Sequence, residues 1–344
     1  MQFFKYKSND DLPAHGLVMK DIYQTFNYNM LEGKRTGTEP WFFLYKTDEI
    51  SIALPLLLDI IPESISSGKK LKDAKSSYGY AGLVFSEIPT SEQLHNFFNA
   101  LFIAAEQEKI VSIFIRMHPY YNQLNVESTA FINQLIHGKT VFVNLEEGID
   151  EITAHYSSTH SRGIKTLKQH NYYGRINNWE DYQLFQSAYQ ETMTYVQAGA
   201  QYFFEKNYFD ELRSNLHDGL HIINVYDNQN QYATGALFMA FGDIVQYHLG
   251  GTFNIFRKMA PSKLVFDIAI RYFAELNFSI LHLGGGVGSS ADSLFDFKKG
   301  FGRHTLNFSS VRCIIMPEEY DALVEKHLPD ASVSDKNFFP LYRL

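Results

Sequence analysis

The sequence predicts a mixed α/β (α+β) protein of two tandem domains, each a mixed, largely antiparallel sheet flanked by helices. Three observations predict it. The chain has 344 residues, 45% hydrophobic and 20% charged, which is enough for two cores at about 150 residues per domain and too apolar for disorder. Runs with an apolar period of two alternate with runs of helical period. The order of these runs in residues 1–145 recurs in residues 146–344 at a shift of 169, which aligns Tyr78, Ala81 and Gly82 with Tyr247, Gly250 and Gly251. These two stretches are the expected domains.

In the first half, Trp41–Leu44 and Ile50–Leu58 read as strands joined by a turn at Lys46–Glu49. A polar loop, Ser64–Lys75, leads to the glycine and aromatic segment Tyr78-Gly79-Tyr80-Ala81-Gly82 and on to Leu83–Phe85. Ser91 reads as the N-cap of a helix, because Leu94, Phe97, Phe98, Leu101, Phe102 and Ala105 recur at i, i+3, i+4 spacing. The helix ends near Lys109, and Ile110–Ile115 is a strand.

The second half starts with a strand at Val141–Leu145 and a helix over Asp150–Gln169 that carries Arg162, Lys165 and Lys168 three apart. Two more helices cover Trp179–Val196 and Tyr202–Leu216. The period then becomes two, in an antiparallel meander of Leu220–Tyr226, Ala233–Phe241 and Ile244–Leu249 with short polar turns. A helix follows with Val265, Ile268, Ala269, Tyr272, Phe273 and Leu276 on one face, and Asp267, Arg271 and Glu275 at i, i+4 spacing on the other. Ser279–Leu283 is a strand running into Gly284-Gly285-Gly286-Val287-Gly288.

Several function classes lose support. The net charge is −8, with 13 basic and 15 acidic side chains in residues 1–145 and 17 and 23 in the rest. Neither half has the basic surplus that phosphate-backbone binding uses, so DNA is not an expected partner. The most apolar segment, Ile52–Ile61, is broken by Pro55 and Asp59 and falls short of the roughly 20 residues of a spanning helix. With no signal-peptide pattern at the start, a cytoplasmic protein without a transmembrane segment is expected. The single Cys313 excludes an internal disulfide and reads as a packing residue. His217 and His221 are four apart, but Gly219 between them removes helical geometry, so no metal site is expected. Gly284-x-Gly286-x-x-Ser289 lacks the third glycine of a dinucleotide fingerprint. No serine-hydrolase elbow, zinc-protease or P-loop pattern occurs.

The densest constellation runs from Tyr247 to Gly302: Tyr-His-Leu-Gly-Gly-Thr, then Arg257-Lys258-Met259-Ala260-Pro261-Ser262 opening a helix, then Leu283-Gly284-Gly285-Gly286, then Phe297-Lys298-Lys299-Gly300-Phe301-Gly302. This resembles the FemA/FemB/FemX-like branch of the GNAT acyltransferase superfamily, with its F-K-x-x-[FW]-G segment after a glycine-ended strand. Upstream, Ala53-Leu54-Pro55-Leu56 with Tyr78–Gly82 is similar to the first-domain pattern, and Tyr156–Lys168 to the basic helix that opens the second. The likeness covers most of residues 40–310. It implies two GNAT-like domains and transfer of an acyl or aminoacyl group to an amine of a cell-envelope precursor or amino sugar by direct attack. Acyl-CoA or aminoacyl-tRNA would be a co-substrate rather than a tightly bound cofactor. The acidic balance and the absence of a long helical hairpin disfavour tRNA. A small molecule or precursor peptide is then the expected partner. The contrasting reading is a non-catalytic module on the same scaffold that binds an amino sugar or peptide.

The resemblance puts Lys298 in the catalytic position. Its place on the apolar side of a short helix calls for an anionic partner, an acyl carbonyl to polarise, or a snorkelling role. Asp292 and Asp296 are the nearest carboxylates in sequence and the candidate proton acceptors. Arg257, Lys258 and Ser262 sit at a helix start, where free N–H groups and the dipole attract an anion. Pro261 and the missing glycines leave an ordinary capped helix as the other reading. Arg162 and Lys165 are further phosphate candidates or a solvated basic face. Tyr78, Tyr80, Tyr247 and His248 are acceptor-binding candidates or core packing.

Overall fold

In chain order the elements of the structure, a computed structural model, are β1 (Gln2–Lys5), α1 (Phe26–Thr36), β2 (Glu39–Lys46), β3 (Ser51–Ile60), α2 (Glu63–Ser66), β4 (Lys72–Lys75), β5 (Val84–Phe85), α3 (Ser91–Gln107), β6 (Ile110–Arg116), β7 (Ile132–Asn144), α4 (Ile149–Ala154), α5 (Ser158–Gln169), β8 (Tyr173–Ile176), α6 (Tyr182–Tyr195), α7 (Lys206–Leu216), β9 (Leu220–Tyr226), β10 (Tyr232–Phe241), β11 (Ile244–Thr252), α8 (Ser262–Glu275), β12 (Ile280–Gly284), α9 (Ser293–Lys299), β13 (His304–Ile314) and α10 (Pro317–His327). The structure describes residues 1–66, 68–328 and 338–344.

The chain divides into two compact units, Met1–His137 with Asn307–Leu344, and Gly138–Leu306. The boundaries expected from sequence, 1–145 and 146–344, therefore shift, and the C-terminal residues belong with the first unit. Strand pairing is the cause: β13 pairs with β6 from Ser310↔Arg116 to Ile314↔Ser112. Tyr320, Leu323 and Tyr342 then pack with Ile61, Leu71 and Val111. A sequence period says which residues form a strand, and says nothing about which distant strand it joins.

In unit 1, β2 pairs antiparallel with β1 and β3, β3 with β4 and β5, and β4 runs parallel to β6. Ser51–Leu58 is buried on both faces, which is why that strand reads as a continuous apolar run. The core joins Phe43, Leu54 and Leu56 of the sheet to Phe97 and Leu101 of α3, with Ile113, Ile115, Val311 and Cys313 below them. Burial pushes the Cys313 thiol far up, so it is a packing residue as expected. The N-cap of α3 is Thr90 rather than Ser91: its hydroxyl accepts from Gln93 N at 3.2 Å, while Gln93 Oε1 accepts from Thr90 N at 2.9 Å. The expected polar loop over 64–75 contains α2 and β4. The sequence Lys-Asp-Ala-Lys of β4 has no strand signature and is held extended by β3 on one side and β6 on the other.

In unit 2, β9, β10 and β11 form the expected meander, β8 joins β9, β11 runs parallel to β12, and β12 pairs antiparallel with β7. Phe266, Ala269, Ile270 and Phe273 of α8 pack with Phe238, Val245 and Leu281 of the sheet and with Ile164 and Leu167 of α5. On β11, Gly251 faces α6, where a Cβ would run into the backbone of Ala188 and Tyr189. The single helix expected over 150–169 is two helices, α4 and α5. The break is at Ser157, whose hydroxyl accepts from His160 N at 3.2 Å and whose N–H donates to Gly300 O at 2.9 Å. Asp267, at i, i+4 spacing from Arg271 on the other face of α8, is buried and accepts from Lys168 Nζ at 2.9 Å, Arg271 Nε at 3.2 Å and Tyr156 Oη at 3.4 Å.

Candidate functional site

The parallel ladder of unit 2 is short. Ile244, Val245 and Gln246 pair with Ile280, Leu281 and His282, and the pairing stops there although β11 continues to Thr252. Across β11 the register with β10 slips between Leu237 and Phe238, so His248 is an extra residue between Tyr247 and Leu249. A bulge of this kind re-aims side chains and ends regular pairing. Tyr247 packs 4.9 Å from the Phe266 ring of α8 and 5.8 Å from Phe238. His248 points to the opposite face, hydrogen-bonded to Tyr208 of α7 at 2.8 Å. The two expected acceptor residues of this unit therefore serve different faces of the sheet.

Lys298 comes to the point where the ladder ends. It is 6% exposed on α9, its Nζ donates to Gly285 O at 2.6 Å, and it lies 5.4 Å from the centre of the Tyr247 ring. Burial lowers its pKa to about 8, partly opposed by the charge of Asp292. Gly285 O is the one hydrogen-bond acceptor that meets this ammonium among the described residues, which leaves two N–H donors for another oxygen. The ring of Tyr247 supplies a weak electrostatic partner for a desolvated cation.

Asp292 caps α9: its carboxylate accepts from Phe295 N and Val287 N, each at 2.9 Å. Despite partial burial, these backbone hydrogen bonds hold its carboxyl below the usual range, the setting of a clamp rather than of a proton acceptor near neutrality. A Cβ on Gly286 would meet Asp292 and Ser290, so the glycine loop closes on its own cap and does not open a helix towards a pyrophosphate. Asp296 is exposed on the far side of α9.

The helix-start group is dispersed. The Arg257 guanidinium is 4.0 Å from the centre of the Tyr195 ring and bonds Asn254 Oδ1 at 2.6 Å and Thr192 Oγ1 at 3.2 Å, while Lys258 is exposed. Ser262 opens α8 with no side-chain cap, and the amides of Lys263 and Leu264 donate to Ala260 and Pro261. Two of the N–H groups that an anion would use are thus already bonded. Arg162 and Lys165 lie on the exposed face of α5, where Arg162 Nε donates to Ser158 O of its own helix. Tyr78 and Tyr80 belong to unit 1: the Tyr78 ring lies under Arg116 at 5.9 Å, and Tyr80 meets Phe308 edge-on at 5.1 Å. Among the described residues no group of three or more His, Cys, Asp or Glu is placed to hold a metal ion, and no helix is long and apolar enough to cross a membrane.

His160 was missed by the sequence reading. It is buried on α5, donates from Nε2 to Phe297 O at 2.7 Å, and its ring lies tilted 4.3 Å from that of Phe301. A Cβ on Gly300 would strike its ring. The Phe-Lys-x-x-Phe-Gly segment is therefore built around this histidine, which anchors the turn that carries Lys298. The signal was present: His160, Ile164 and Leu167 have the i, i+4, i+7 spacing of a buried face.

No family model and no curated protein sequence matches the chain. Among solved structures, FemX is similar with a TM-score of 0.69 and 14% identity, covering 93% of this chain and 99% of that one. L-PGS from Bacillus licheniformis is similar with a TM-score of 0.50 and 8% identity, covering 83% of this chain and 86% of that one. The chain has the fold of FemX.

Proposed function

We propose that unit 2 transfers an acyl or aminoacyl group to an amine, with Lys298 stabilising the acyl oxygen. The observation that carries this reading is a buried ammonium with unused donors beside the stretch of β11 whose edge towards β12 is unpaired. The free edge past Gln246 offers backbone N–H and C=O groups to an extended, amide-bearing acyl carrier. A neutral amine attacking the carbonyl forms a C–N bond and places negative charge on the oxygen. Collapse breaks the bond to the carrier, and the carrier's thiol or hydroxyl leaves with the proton lost by the amine. A fixed cation in a dry site stabilises that oxyanion strongly. No enzyme nucleophile is required, in keeping with a chain that has neither a serine elbow nor a reactive cysteine.

The motif resemblance to the FemA/FemB/FemX-like branch implies an amine on a cell-envelope precursor or amino sugar as acceptor, with acyl-CoA or aminoacyl-tRNA as donor, and the fold shared with FemX is in keeping with it. One observation favours a second reading, a binding module without chemistry: the amides at the start of α8 that would cradle a donor phosphate are partly occupied. A thermal-shift panel of acyl-CoAs, aminoacyl-tRNA and nucleotide-sugar precursors separates the two. Stabilisation by an acyl donor, lost in Lys298→Met, supports transfer. Stabilisation by acceptors alone supports the module.

A further inference from the structure

We propose that the face of the unit 1 sheet at Arg116, Ser310 and His137, buried at Ser310 and open at His137, binds an oxyanion, a phosphate or a carboxylate carried by a small molecule. The site follows from strand register. Ser310 lies directly across from Arg116 in the antiparallel β6–β13 pair, and His137 Nε2 of β7 is 2.6 Å from Ser310 Oγ. Ile113, Ile115, Val311 and Cys313 point into the core, so by alternation Phe114, Arg116, Ser310 and Arg312 point the other way. Arg116 and Arg312 are half-buried and His137 is exposed.

The Arg116 guanidinium lies over the Tyr78 ring at 5.9 Å and over the Phe114 ring at 5.7 Å, and among the described residues no oxygen accepts from its side chain. Five donors in a rigid fork, beside two aromatic rings and left without an acceptor, match a phosphate or carboxylate. Arg312, two residues along β13 from Ser310, adds charge. Burial, and then the charges of Arg312 and Arg116, hold His137 below its ordinary range, the environment that a bound anion would neutralise. Asp73, a carboxylate further along this face, is committed to Tyr342 and to Arg343, whose Nε is 2.7 Å away.

The site stands independently of the transfer reading, so its test uses no acyl donor. Inorganic phosphate and citrate are titrated separately into the full chain while the imidazole signals of His137 are followed by NMR. The expected result is a saturable shift with one of the two anions, which identifies the source, and affinity at least about tenfold weaker in Arg116→Ala, the loss of a charge-assisted pair. Arg116→Lys, which keeps the charge without the fork, is expected to fall between. No saturable shift with either anion, or equal affinity in wild type and a folded Arg116 variant, would overturn the proposal and leave the reading of Lys298 untouched.

Discussion

The two units share an order of sheet strands and part most clearly just past their parallel ladders. In each, a helix carries the chain between two parallel strands, α3 from the β4–β5 region to β6 and α8 from β11 to β12, and both parallel ladders are short. Lys72 pairs with Ile110 and Ile244 with Ile280, so corresponding positions stand 172 and 170 residues apart, close to the shift of 169 seen in the sequence. Past the ladder they part. In unit 2 the chain stays in the sheet as Tyr247–Thr252, bulges, and meets a buried lysine. In unit 1 the matching segment, Tyr78–Gly82, leaves the sheet and lays its aromatic rings beside Arg116 and Phe308. A similar order of strands thus supports a desolvated cation in one unit and an aromatic and basic face in the other.

The largest effects test the shared frame. Phe97 of α3 and Phe273 of α8 are both fully buried, and Phe97→Ala and Phe273→Ala are each expected to cost about 3–5 kcal/mol in urea denaturation. A negligible cost in either would break the equivalence of the two helices. Gly251→Ala is next, at about 1–3 kcal/mol, because its methyl group displaces the backbone of α6.

The difference between the units also has a pH signature. Lys298 binds its proton less tightly when folded, near pH 8, than when unfolded, near about 10.4. Between those values the unfolded chain holds more protons, so this lysine makes stability rise with pH across that window. Denaturation midpoints of wild type and Lys298→Met at pH 7.5, 9 and 10.5 should separate this contribution from other titrations, and a slope unchanged in the variant would show an ordinary lysine. The smallest effects concern helix starts: Thr90→Ala should cost about 1 kcal/mol through loss of the capping box, whereas Ser262→Ala, which removes no cap bond, should change stability by a few tenths at most.

Much of the frame was legible in the sequence because it rests on local periodicity: the meander, α3, α8 and the buried Lys298 all follow from spacing and from the resemblance. What escaped depended on distant partners. The polar β4 is a strand because two neighbours hold it, and 307–344 joins unit 1 because β13 pairs with β6. Asp267 reads as an i, i+4 partner of Arg271 alone, and Lys168 and Tyr156 reach it from another segment. Asp292 became a cap because backbone amides meet it, which sequence distance from Lys298 could not indicate.

Direct assay of transfer puts the difference between the units to its sharpest test. With whichever donor stabilises the protein and an amine acceptor, amide formation should fall by roughly 10²–10³ in Lys298→Met, the effect of removing an oxyanion donor, while the thermal midpoint at pH 7 is retained. Undiminished amide formation by that variant would contradict the account and return Lys298 to a structural role.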